Sequence, residues 1–248
     1  MGLAGRECSR IGPLWGLGGV DLGPRMTHIR QRRNPLLLNP IEGLTFHEDR
    51  HLYRYKGEWL STSISQVTDV DLKPAQRAAF EKYKDGPDGW KIRGETIHKC
   101  LHLHLTGQPQ AYDDKWSPWV ETLLTDKVFQ NVTTLASEYQ LCLRTDTESI
   151  GGTLDFLLAY DDDPSFRILG DLKTVSSAKG VSSRKPNLAQ MGGYLKMLGA
   201  HWPNLYVSQC ITVVSGPEKV KVREHDPQEC LDAWDAALAR YQALQFDF

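Results

Sequence analysis

No run of about eighteen apolar residues occurs in the 248-residue chain, and its first twenty-five residues lack the unbroken apolar segment of a secretory signal. A membrane-spanning helix and export are therefore not expected. The five cysteines, Cys8, Cys100, Cys142, Cys210 and Cys230, form no CxxC pair and are odd in number. That usage fits a reducing intracellular, cytoplasmic setting with buried free thiols. Their spacing supplies no four-thiolate ligand set, so no iron-sulfur cluster is expected. A surplus of positive charge is also missing: 29 Lys and Arg stand against 31 Asp and Glu, for a formal net charge of -2. Contact with nucleic acid must then come from local basic clusters, and net charge neither supports nor forbids it. No internal repeat is present.

Residues 1–40 are rich in Gly, Pro and Arg, with only Glu7 and Asp21 as acids, and keep neither a helical nor a strand period. They read as a disordered tail before one domain over 41–248. Met26 offers an alternative start. A transit peptide is poorly matched, because Ser is scarce and no amphipathic face forms. Strand-like alternation from Leu44 to Thr68, with a Lys56-Gly57 turn, predicts an edge hairpin. Pro74 opens a helix to about Lys84, and further helices are predicted over about Gly94–Leu105 and Trp116–Phe129. Strands follow at about 135–144, 150–160 and 166–174, then a helix over Asn187–Leu198, strands at 205–214 and 219–224, and a helix from Pro227. This mixture predicts an α/β or α+β fold.

The informative stretch is Gly151-Gly152-Thr153-Leu154-Asp155, a polar Asp161-Asp162-Asp163-Pro164 turn, and Gly170-Asp171-Leu172-Lys173. It reads as a β-hairpin. A turn centred on Asp163 sets Asp155 opposite Asp171, with their Cβ atoms about 4.5–5.5 Å apart. Alternation puts Lys173 on the face of Asp171 and sends Leu172 into the core. Two directly opposed carboxylates repel, so a cation is expected between them. Mg²⁺ or Mn²⁺, binding carboxylate oxygens and leaving room for phosphate, satisfies that need. An ammonium beside such an ion suits phosphodiester hydrolysis, because it stabilises negative charge developing on the phosphate.

Gly-Thr-Leu-Asp155, Asp171-Leu-Lys173 and Gln190-Met-Gly-Gly-Tyr194 resemble the RecB-like branch of the PD-(D/E)XK nucleases. Arg93-Gly-Glu-Thr-Ile-His98 resembles that branch's helix motif, and Ser137-Glu138 resembles its acidic position before the Asp strand. The match spans about residues 93–194. The segment Ser61–Thr68 is similar to the leader of the mitochondrial genome-maintenance exonucleases and their phage relatives. The resemblance implies a restriction-endonuclease-like α/β fold, with a central mixed β-sheet flanked by helices. It implies Asp155 and Asp171 as metal ligands, Lys173 as the catalytic lysine, His98 and Glu138 as further ligands, and a metal bond from the Leu172 carbonyl. It further implies that Gln190 and Tyr194, four apart on one helical face, contact DNA or brace the site. Exonuclease action on single-stranded or end-bearing DNA, in repair or recombination, is the activity expected of such a chain.

Other residues have plainer readings. His102 and His104 read as hydrogen-bonded helix residues, and the HxxxH spacing from His98 is no zincin, since Lys99 stands where Glu is required. Asp161, Asp162 and Asp163 read as a solvated turn. Lys179–Lys185, with Arg184 and Lys185 as candidate phosphate contacts, equally reads as an exposed loop. Trp116, Trp119 and Trp234 suit core packing. Arg30, Arg32 and Arg33 can add non-specific attraction to DNA. Lys127 and Arg93 are too isolated to argue from. Two rival functions remain open: a catalytically silent nucleic-acid-binding module, and a metal-independent hydrolase using Glu138 and Asp155 as acid and base.

Overall fold

A computed structural model describes residues 38–50, 52–86 and 88–246. The expected tail up to residue 37, with Cys8, Arg30, Arg32 and Arg33, lies outside the described residues. Strands β1 (Leu44–His47), β2 (Leu52–Tyr55) and β3 (Glu58–Trp59) form a small antiparallel sheet of their own. Lys56 and Gly57, both at positive φ, make the expected turn between β2 and β3. The chain then contributes β4 (Thr62–Ser63) to the main sheet.

Residues Ile64–Thr68 are helix α1, not the strand that alternation predicts. A capping box decides this: the Ser63 hydroxyl accepts from the Gln66 amide, and the Gln66 side chain accepts from the Ser63 amide at 2.8 Å. Ile64 and Val67, three apart, then bury the helical face. Helices α2 (Pro74–Lys82), α3 (Trp90–Leu105) and α4 (Ser117–Leu124) follow. The third predicted helix is shorter than expected. The Asp126 carboxylate caps a separate 3-10 turn at Lys127–Phe129 by accepting from the Val128 amide.

The second half runs β5 (Val132–Arg144), β6 (Ser149–Tyr160), β7 (Arg167–Thr174), α5 (Ala178–Ser183), α6 (Leu188–His201), β8 (Gln209–Gly216), β9 (Lys219–His225) and α7 (Pro227–Phe246). Part of the expected 179–185 loop is thus helical, capped where the Gly180 amide donates to the Ser177 hydroxyl. The predicted strand at 205 begins only at Gln209.

The main sheet has the order β4-β6-β7-β8-β9, with β5 on β6. The β4–β6 and β7–β8 pairs are parallel and the others antiparallel, which makes this a mixed α/β fold with a central mixed sheet, as expected. β8 is buried along nearly its whole length between two neighbours, whereas the edge strand β9 alternates Lys, Arg and Glu with Val, which discourages further pairing. One face of the sheet packs on α1, α6 and α7 through Ile64, Met191, Tyr194 and Trp234. The other packs on α3 and α4 through Ile97, Leu101, Val120 and Leu123. Cys100, Cys142, Cys210 and Cys230 are buried free thiols. No helix among the described residues is long and apolar enough to cross a membrane.

Helices α6 and α7 touch through Gly192, where an added Cβ would come within 1.9 Å of the Cys230 carbonyl oxygen. Backbone cannot yield as a flexible side chain can, so Gly192→Ala is expected to destabilise the fold by about 3 kcal/mol. Urea unfolding measures this as a lower midpoint at unchanged slope. An unchanged midpoint would contradict the close approach.

Candidate metal centre

β6 is paired with β5 along its length, but its other edge is shared. β7 pairs at residues 156–159 and β4 at 150–151, so the strand is forked between them. Asp155 lies at this fork. The hairpin register follows the expected turn, with Phe156 opposite Gly170, and the ladder stops one residue short of the two aspartates. Instead of facing Asp171 as a ladder pair, Asp155 accepts the Leu172 amide on Oδ2 at 2.5 Å. Its Oδ1 lies 3.4 Å from His98 Nδ1.

His98 reaches the fork from the middle of α3, and the same Nδ1 lies 3.3 Å from Glu138 Oε1. One ligand atom from each of His98, Glu138 and Asp155 falls within 4.8 Å of the others. Glu138 sits in β5 at φ 46°, a left-handed conformation uncommon for a non-glycine residue. Such strain concentrates at functional sites because the surrounding structure must hold it. This placement has no signal in the local sequence.

Asp171 stands beside the trio, fully buried. Its Oδ1 accepts from Lys173 Nζ at 2.6 Å, and Nζ also donates to Gln190 Oε1 at 3.0 Å. Gln190 Nε2 in turn donates to the Tyr194 hydroxyl at 2.9 Å. Gln190 and Tyr194 therefore brace the lysine from one face of α6. Asp171 Oδ2 is buried with no hydrogen-bond partner. A buried carboxylate oxygen is costly to leave unmatched, and a cation would satisfy it. The imidazole and carboxylate donors fit a divalent cation. This cluster can hold one.

The charges of the cluster act on one another. Burial alone raises the Asp155 carboxyl, but His98, Lys173 and the Leu172 amide outweigh it and hold the group below the ordinary carboxylate range. Asp171 is pushed up, chiefly by burial and also by Asp155, against the pull of Lys173. Burial alone lowers the His98 pKa, but Asp155 and Glu138 reverse this and lift it to about 10. Tyr194 is raised well above its ordinary value by burial and by the charges of Asp155 and Asp171, so it serves as a neutral phenol.

Arg184 ends α5, with an exposed side chain and a carbonyl that accepts from the Arg223 guanidinium. Burial raises the Asp69 carboxyl, against the pull of Arg77, Lys173 and Arg184. Lys185 is exposed. His102 bonds to the Ser137 hydroxyl at 3.0 Å, but His104, expected to be hydrogen-bonded, has a buried Nδ1 with no partner. Trp116 and Trp234 are core residues, and Trp119 donates to the Val175 carbonyl at 2.7 Å. The Asp163 turn is exposed, its carboxylate accepting from Ser165.

No protein-family profile and no curated protein sequence matches this chain. Among the solved structures remotely similar in shape are three that illustrate the likeness. A putative exonuclease from Eubacterium rectale is 12% identical with a TM-score of 0.46, over 71% of this chain and 77% of that one. An alkaline exonuclease from Laribacter hongkongensis is 16% identical with a TM-score of 0.36, over 73% and 87%. The protein SSO0001 is 16% identical with a TM-score of 0.38, over 72% and 75%. The chemistry must therefore be argued from the residues.

Proposed function

We propose that this chain is a divalent-cation-dependent DNA nuclease of the PD-(D/E)XK type, RecB-like branch, acting as an exonuclease on single-stranded or end-bearing DNA. The observation that carries the reading is the meeting of His98, Glu138 and Asp155 beside a buried Asp171–Lys173 pair whose outer carboxylate oxygen is unmatched. His98, Glu138 and Asp155 would hold the cation, with Asp171 Oδ2 and the Leu172 carbonyl as further donors. A Mg²⁺ or Mn²⁺ ion held there supplies positive charge against phosphate oxygens and activates water for attack.

The protein's own residues do the rest. Lys173 presents an ammonium where negative charge grows on the phosphate, in a buried setting where such charge counts for more than in water. Gln190 and Tyr194 fix that ammonium, and Arg184 and Lys185 meet the DNA backbone at the rim. The metal-independent hydrolase is not favoured. That reading leaves the buried Asp171–Lys173 pair and the unmatched Asp171 Oδ2 without a task.

End-labelled single- and double-stranded DNA incubated with Mg²⁺, Mn²⁺ or EDTA tests the reading. Shortened products are expected with either ion and none with EDTA. Binding without cleavage under all three conditions would instead support the silent module.

A further inference from the structure

Among the described residues Arg93 is the one buried arginine or lysine, and the mechanism above leaves it unused. It sits in the first turns of α3 at 7% exposure, and no carboxylate pairs with it among the described residues. Of its five donors, Nη1 makes a marginal 3.5 Å contact to the Asp88 carbonyl, and Nε is buried with no acceptor. A buried cation without compensation destabilises a fold unless an anion joins it. Of the first amides of α3, those of Trp90, Lys91 and Arg93 already donate, to the Tyr83, Lys84 and Gly89 carbonyls.

Its position is suited to a substrate strand. Arg93 lies five residues before His98, about 7.5 Å along the helix axis and roughly 140° around it. Between them Gly94 leaves α3 bare towards Thr174, the neighbour of Lys173, with 3.9 Å from an added Cβ to the threonine hydroxyl. α2, tied to α3 by the bond from Trp90 Nε1 to the Phe80 carbonyl, brings cations and rings, with Glu81, Asp85 and Asp88 among them. α2 has no buried residue, carries Arg77 and Lys82, and runs into Tyr83 at 63% exposure, followed by the partly exposed Trp90. Cations interleaved with exposed rings are the pattern that grips single strands by phosphate contact and base stacking.

We propose that Arg93 is a substrate-positioning residue that takes a backbone phosphate of the bound strand, other than the one being cut. The assignment rests on the nuclease reading. The planar guanidinium fork matches two phosphate oxygens at once, which an ammonium cannot do. Contact with a phosphate pairs the buried charge and fixes the strand's register across α3 towards the centre.

The test uses the full chain, a labelled oligothymidylate and Ca²⁺ in place of Mg²⁺, with affinity measured over a salt series. Arg93→Met keeps the buried stem and removes the charge. It is expected to bind about tenfold more weakly, with a log–log salt slope shallower by about 0.7, the value for one single-strand phosphate contact. Without DNA it should melt no lower than the wild type, whereas a merely structural arginine would cost stability and leave the slope alone. Unchanged affinity and slope overturn the proposal while the nuclease reading stands. Wild-type protein that binds no oligothymidylate at any salt removes both. Should Arg93→Met not fold, a crystal structure of the wild type with oligothymidylate decides: a phosphate oxygen on the guanidinium supports the assignment, and water alone there refutes it.

Discussion

Lys173→Met is expected to slow DNA cleavage by on the order of 10²–10³-fold, the loss typical when one donor aimed at developing charge is removed. The lysine has two partners, Asp171 and Gln190, and no other ammonium contacts either carboxylate of the centre among the described residues. Methionine fills much of the same stem volume, so packing is largely kept. Asp171 then loses the cation that opposes its burial, and its carboxyl is pushed further up and takes a proton instead of remaining a bare buried charge. The fold should survive, with a far-ultraviolet spectrum like that of the wild type. Asp171→Asn should be equally inactive, for it retains shape while removing the charge that both Lys173 and a cation need. Single-turnover cleavage of end-labelled DNA, with circular dichroism as the folding control, measures both. Wild-type rates in either folded variant would discard the site.

The second large effect is on stability and needs no substrate. A ligand present at about one hundred times its Kd stabilises the folded state by about 2.7 kcal/mol. For a chain of this size that is a rise of about 5–10 °C in melting temperature. Mn²⁺ should produce such a rise in the wild type, EDTA should reverse it, and Asp155→Asn should lose it. The variant is informative because Asp155 ties β7 to α3, facing His98 with one oxygen and taking the Leu172 amide with the other. Glu138→Gln should retain more of the shift, since that side chain is 37% exposed and its position depends on a left-handed backbone rather than on burial. Equal Mn²⁺ shifts in the wild type and Asp155→Asn would show that the cation binds elsewhere.

Fork geometry explains why the site is only partly legible in sequence. The β6–β7 register can be read because a hairpin is local: the turn at Asp163 determines which residues meet, and Phe156 does lie opposite Gly170. The proximity of Gln190 and Tyr194 can be read for the same reason, as four residues bring two side chains onto one helical face. Alternation also puts Asp171 and Lys173 on one face, and they form a 2.6 Å pair.

Three features escape the reading by alternation and turns. The capping box of α1, Ser63-Ile-Ser-Gln66, is a local signal for a helix start, and the strand-like pattern of Ser63–Thr68 masks it. The small sheet separates from the main one only because β4 leaves it to pair with β6. Above all, the ladder ends before the aspartates, so Asp155 joins His98 and Glu138 instead of meeting Asp171 face to face.

Local order along the chain thus determined which residue types can do the chemistry, the hairpin that carries two of them and the helical face that braces the lysine, because turns and short periods act over a few residues. Which of them come together, and why Arg93 is left buried without a counter-charge, was decided only when α3, β5 and β6 were packed together. Those contacts join residues forty or more positions apart in part, such as His98 and Glu138, and no spacing rule spans such a distance.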